Sequence, residues 1–260
     1  VSIDLNADVG EGMDDAGLLP WVTSANVACG YHAGDAGTMD RTVSQALAGG
    51  VRVGAHPGYP DRANFGRARF EMAAEEIEAM VLYQVSALDG IVRSHGGTLT
   101  HVKPHGALYH RGAESGEVAR AIARGVQRCR GGLILVGPAG SRLLDAGREI
   151  GLPVAGEAFA DRRYRRDGVL VSREEGNALL TDPAEAAEQA ISIVRDGRVT
   201  ASDGTRVAIR ADTLCLHGDT PGAPAIAKRV HERLREEGIR IAPLEAARHE
   251  GRAIPTIPPG

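Results

Sequence analysis

The chain has 260 residues, 43% hydrophobic and 25% charged, enough for one large buried core and ordinary for a globular protein. A formal net charge of −4 gives no electrostatic reason to expect a nucleic acid or an anionic membrane as partner. Cys29, Cys129 and Cys215 are odd in number and never form Cys-x-x-Cys, which argues against a disulfide framework and fits a reducing cytoplasm.

The first stretch, residues 2–8, alternates: Ile3, Leu5 and Ala7 share one face, and Asp4, Asn6 and Asp8 the other. The glycine-rich turn Val9-Gly10-Glu11-Gly12 follows at once, so this reads as a barrel strand whose end presents Asn6, Asp8 and Glu11. A second strand over 24–30 runs into His32 and Asp35, and a helix over 38–48 follows, with Asp35 or Thr38 near its cap. A third strand over 51–57 ends in His56. Beyond an arginine-rich loop lies an amphipathic helix over 72–94. Residues 99–103 make the fourth strand, 115–130 a helix, and the apolar run 132–137 a strand buried on both faces. A helix over 143–150 precedes the sixth strand, 154–161, which places Glu157, Phe159 and Asp161 on one side and leads into Arg162.

Between 165 and 211 the β/α rhythm breaks. We expect a short strand over 169–171, a helix over 183–194 capped by Asp182, and a hairpin turning at Asp203-Gly204. This is an insertion on a single barrel domain spanning 1–260, because it is too small to bury a core of its own. The barrel resumes over 213–219, with Cys215, His217 and Asp219 sharing a face. A helix over 223–237, a short strand over 239–241 and a turn of helix over 243–249 complete the order. The proline-rich residues 254–259 are expected to be extended and to lie on a neighbouring subunit of a homo-oligomer. No basic-then-apolar leader and no run of membrane-spanning length is visible, so we expect no membrane partner and a cytoplasmic location.

Ionisable residues gather at the inferred strand ends: Asp8, His32, His56, Lys103 with His105, His217 with Asp219, and Glu157 with Asp161. In a parallel β/α barrel all these ends meet at one mouth. A lone strand-end histidine is as often structural as functional, but five of nine (His32, His56, His101, His105 and His217) fall there. His95, His110, His231 and His249 read as surface residues. Among 30 Lys+Arg only Lys103 and Lys228 are lysines, and lysine, unlike arginine, can lose its proton when desolvated. A structural ion pair is the alternative for Lys103. Asp8 with His32 and His56 could ligate a divalent ion, although no local spacing such as His-Glu-x-x-His supports it. Neither a P-loop nor a Gly-x-Gly-x-x-Gly dinucleotide motif is present.

The runs Ile3-Asp4-Leu5-Asn6-Ala7-Asp8-Val9-Gly10-Glu11, Ala28-Cys29-Gly30-Tyr31-His32-Ala33-Gly34-Asp35, Gly54-Ala55-His56-Pro57-Gly58-Tyr59, His101-Val102-Lys103-Pro104-His105-Gly106, Phe159-Ala160-Asp161-Arg162-Arg163-Tyr164 and Leu216-His217-Gly218-Asp219 resemble those of the 5-oxoprolinase A-type subunits, the lactam-utilisation family. The resemblance implies a seven-stranded β/α barrel of the glycoside hydrolase/deacetylase kind. It also implies ATP-dependent opening of 5-oxoproline to glutamate, with ATP used by a complex that includes two further subunits, of B and C type. On that reading Asp8, His32, His56 and His105 are candidates for acid–base work and Lys103 for base or oxyanion stabiliser. Asn6, Asp35, Glu157, Asp161, Arg162, His217 and Asp219 are candidates for substrate binding. Two other readings stand beside it: a stand-alone metal-dependent amidohydrolase or deacetylase, and a non-catalytic subunit that binds a small acid.

Overall fold

Alternation in the first strand sets the two sides of the sheet. In β1 (Ser2–Val9), Ile3, Leu5, Ala7 and Val9 join the hydrophobic layer beneath the helices, while Asp4, Asn6 and Asp8 point inward, buried in spite of their polarity. In the computed structural model, which describes residues 1–245, β1 is followed by α1 (Asp15–Leu18), β2 (Ser24–Ala28), α2 (Ala36–Ala48), β3 (Arg52–His56), α3 (Ala74–Ser94) and β4 (Leu99–Val102). Then come α4 (Gly106–Glu114), α5 (Gly116–Cys129), β5 (Ile134–Pro138), α6 (Arg142–Glu149) and β6 (Val154–Phe159). After α7 (Pro183–Asp196), β7 (Arg198–Thr200) and β8 (Arg206–Ala208) form a separate antiparallel hairpin.

β9 (Thr213–His217) pairs with both β6 and β1 and so closes a ring of seven parallel strands. α8 (Ala223–Glu236) covers it, and β10 (Arg240–Ile241) adds to β1 outside the ring. Closure removes sheet edges and turns every second side chain into a shared interior. That interior is polar and layered. At one level Asp4 accepts from Thr23, Ser24 and Thr213; at the next Asn6 meets Asn26, Glu157 and Lys103; above lie Asp8 and His56. The apolar layer outside, including Ile77, Val81, Val85 and Leu88 of α3, supplies about 1.5–3 kcal/mol per buried side chain.

The caps follow their chemistry. Asp35 accepts from the Thr38 N–H at 2.7 Å and starts α2, and Asp182 with Pro183 starts α7. Two expectations fail. Residues 169–171 make only an isolated bridge, Tyr164 to Leu170, because the chain turns back at once over 165–169, with the Arg165 N–H bonded to the Val169 carbonyl. Residues 242–245 are not helical; the rest of the expected turn of helix and the proline-rich end lie outside the described residues. Helix α4, which begins directly at Gly106, lies in a stretch to which the sequence reading assigns no element. Among the described residues no helix is long and apolar enough to cross a membrane, and all three cysteines are free.

Candidate active site

β4 builds the floor of the site. Its pairing with β3 slips at Thr100, so Leu99 faces out and His101 faces in, and Thr100 returns its hydroxyl to the Val53 carbonyl at 3.0 Å. His101 packs over Gly54, where a Cβ would sit 2.1 Å from its Nε2, and bonds Asn26 Oδ1 at 2.8 Å. Burial, then the charges of Lys103 and His56, lower its pKa to about 3, so it is a neutral strut.

Lys103 follows two residues on and is 2% exposed. Its Nζ lies 2.9 Å from Asp8 Oδ1, Glu157 Oε1 and Cys215 Sγ, and 3.3 Å from Asn6 Oδ1. Burial alone would pull the lysine pKa down, but Asp8, Cys215 and Glu157 outweigh it and raise the pKa well above the ordinary value. Lys103 is therefore a fixed ammonium. The expected base role is corrected, since three N–H donors with four acceptors have no proton acceptor's lone pair to offer. Glu157 is held by Lys103, by Asn6 at 3.0 Å and by the Tyr109 hydroxyl at 2.6 Å.

Above this floor, Asp8, Glu11 and three histidines meet. Burial would raise the Asp8 carboxyl, but His56 and Lys103 hold it well below its usual range. Glu11, likewise buried, is drawn down by His105 and His32. The turn that carries it needs Gly10 at φ 73° and Gly12 at φ 88°, a region side chains avoid. Glu11 Oε1 lies 2.8 Å from His32 Nε2, 3.2 Å from His105 Nδ1 and 3.6 Å from His56 Nε2. His32 stacks flat on His105 with ring centroids 3.7 Å apart; burial pulls its pKa down to about 4. Glu11, His32, His56 and His105 thus form one group of potential metal ligands, whereas Asp8 falls with Cys215 and His217 in another. Of the expected ligand set, His32 and His56 fall in the first group and Asp8 in the second, with Asp8 Oδ2 3.4 Å from His56 Nε2. In the second group the Lys103 ammonium already supplies the positive charge.

These groups open into a cavity of about 520 Å³. Asp8, Glu11, His56, Lys103 and His105 line it. Arg67, Arg162 and Arg173 line it too, brought in by the loops after β3 and β6. Asp219 binds Arg67 and takes two bonds from Arg173, at 3.0 and 3.2 Å, so it balances the arginines from behind the wall. Arg162 donates to the Val171 carbonyl at 2.6 Å while its buried Nε has no partner; burial, then Arg173, lowers its pKa to about 10, leaving it cationic. His217 also lines the cavity, its Nδ1 2.9 Å from Asp161 Oδ1, and Thr220 steadies the same carboxylate at 2.7 Å.

Of the residues expected to touch substrate, Arg162 and His217 line the cavity, while Asn6, Glu157, Asp161 and Asp219 stand one layer behind it. Asp35 does not join them: it is exposed and uses its carboxylate to cap α2. Sequence reasoning missed Arg173, and it left His110 on the surface, where it is indeed exposed, without placing it at the cavity that it lines.

Fold and site together define a β/α-barrel protein with a mouth pocket lined by carboxylates, histidines, a buried lysine and arginines. The chain belongs to the LamB/YcsF family, whose model matches residues 3–249. It is 51% identical over 249 residues to the 5-oxoprolinase A-type subunit of Methylococcus capsulatus, spanning 94% of this chain and 96% of that one. The corresponding 5-oxoprolinase A-type subunit of Chloroflexus aggregans is 53% identical over 247 residues, 93% of this chain and 98% of that one. The crystal structure of a lactam utilization protein from Thermus thermophilus superposes with a TM-score of 0.89 at 44% identity, covering 94% of this chain and all of that one.

Proposed function

We propose that this chain is the lactam-opening subunit of a 5-oxoprolinase, hydrolysing the cyclic amide of 5-oxo-L-proline to L-glutamate. The observation that carries the reading is the 51–53% identity, along nearly the whole of both chains, to proteins designated the A-type subunit of that enzyme. Such a designation implies further subunits, and we assign two, of B and C type, with ATP consumed by the assembled complex. An unactivated lactam is stable, so coupling its opening to ATP is chemically reasonable.

The pocket suits this substrate in two respects. 5-Oxoproline carries one carboxylate, and the arginine wall offers it Arg162, whose Nε is buried without a partner, beside Arg67 and Arg173. The ring carbonyl meets the acid–base groups. Water adds its oxygen to the carbonyl carbon, the ring C–N bond breaks, and one proton passes to the departing nitrogen. His217, oriented by Asp161 through Nδ1, presents Nε2 to take the proton from water and return it to nitrogen. Lys103 takes no proton in these steps; it positions Asp8 and Glu157.

The test is reconstitution: ATP hydrolysis dependent on 5-oxoproline, and glutamate release, measured for the chain alone and with its two partner subunits. Coupled activity is expected only for the complete assembly. Rapid glutamate release by the chain alone would instead support the stand-alone amidohydrolase. An assembly whose limiting turnover survives His217→Ala would mean that this chain binds the acid without transforming it.

A further inference from the structure

His56 and His105 confront each other in an unusual way. His56 Nδ1 lies 2.7 Å from the Lys103 carbonyl, and His105 Nε2 lies 2.8 Å from the Phe65 carbonyl. A carbonyl oxygen can only accept, so those two ring nitrogens carry the hydrogens. In neutral rings the remaining nitrogens, His56 Nε2 and His105 Nδ1, are both lone-pair atoms, and they face each other at 3.0 Å. Two carboxylate oxygens join them: Glu11 Oε1, 3.2 Å from His105 Nδ1 and 3.6 Å from His56 Nε2, and Asp8 Oδ2, 3.4 Å from His56 Nε2. In this buried space such electron-rich atoms repel one another unless a proton or a metal ion lies between them.

The spacing fits a metal ion. A metal bound at about 2.0–2.1 Å in a tetrahedral shell holds its ligands roughly 3.3 Å apart. The separations among His56, His105 and Glu11, 3.0, 3.2 and 3.6 Å, bracket that value, and Asp8 Oδ2 lies 3.4 Å from His56 Nε2. Both histidines also give their other N–H to a backbone carbonyl, the arrangement that fixes the tautomer of ligating imidazoles. One of those carbonyls is held in place at the expense of strain: Phe65, at φ 56°, is the one non-glycine residue at positive φ among the described residues. His32 is placed to hold Glu11 rather than to ligate, with Nε2 at 2.8 Å from Oε1.

We propose that Glu11, His56 and His105, with Asp8, form a binding site for one divalent transition-metal ion of the zinc class. Two imidazoles and two carboxylates are a donor set suited to zinc, cobalt or a similar ion. Bound there, such an ion supplies Lewis acidity beside the cavity that the arginines line. The site stands apart from the lactam reading, and its test does not use activity.

The full-length chain, stripped with a chelator and dialysed, is titrated with cobalt(II) and followed by visible absorption, and its zinc content is measured after equilibrium dialysis. One ion per chain is expected, with the intense bands of four-coordinate cobalt, displaced by zinc. His105→Ala and Glu11→Gln should each weaken binding at least ~100-fold, the upper range for losing even a supporting partner of a ligand. His95→Ala, on the surface beside Asp40, should leave binding unchanged. Circular dichroism establishes that each variant is folded; if one is not, the cobalt spectrum of the wild type still reports coordination number. Folded wild type that takes up no ion, or uptake that both site variants retain in full, would overturn the proposal and leave a shared proton between His56 and His105.

Discussion

Lys103 shows how little a residue type says about role until its neighbours are known. A buried ammonium costs several kcal/mol to desolvate, and here that cost is offset because Asp8, Glu157 and Cys215 surround it. Lys103→Met would leave two buried carboxylates facing each other without a cation. We expect it to destabilise the fold by about 3–5 kcal/mol at neutral pH, measured by urea denaturation, before any effect on turnover is read. Adding Glu157→Gln should recover part of that loss. A Lys103→Met protein as stable as wild type would mean that the ammonium is not what holds these carboxylates in place.

At the scale of elements, the β3–β4 pair carries the geometry of the site. The slip at Thr100 turns His101 inward, and Gly54 makes room for it. Gly54→Ala would put a methyl into the imidazole, which is enclosed in the barrel interior and has no route to solvent. The expected cost is about 3 kcal/mol, the upper end for overpacking a core, seen as a lower urea midpoint with an unchanged slope. A midpoint within error of wild type would show that His101 can leave its place. Neither feature is written in the alternation of residues 99–103. That pattern places His101 and Lys103 on one face, as observed, but does not contain the extra residue that makes the register work.

Across the whole molecule, buried neutral histidines couple stability to pH. His101 has a folded pKa of about 3, whereas an unfolded histidine titrates near 6.5. Between those values the unfolded chain binds the additional proton, so stability falls as pH falls through that window. The loss reaches about 2 kcal/mol from this ring between roughly pH 8 and pH 5. Urea midpoints at the two pH values measure it, and His101→Gln should show a smaller drop than wild type. Parallel drops in the two proteins would assign the acid sensitivity elsewhere.

The seven parallel strands, most helices and the chemistry-bearing strand ends were legible in the sequence because strand alternation, glycine stops and capping residues act locally. Asp8, His56, Lys103, His105 and His217 could be named from residue order alone. What residue order could not say is which of them touch solvent and which touch one another, because those contacts span many residues: 95 between Lys103 and Asp8, 49 between His105 and His56, 56 between His217 and Asp161. Closure of the ring made those pairs, and with them decided that Lys103 stays charged and that Asp35 is only a cap. It decided too that Arg173 and His110 face the cavity, since their positions depend on how a loop and a helix fold back over the barrel mouth.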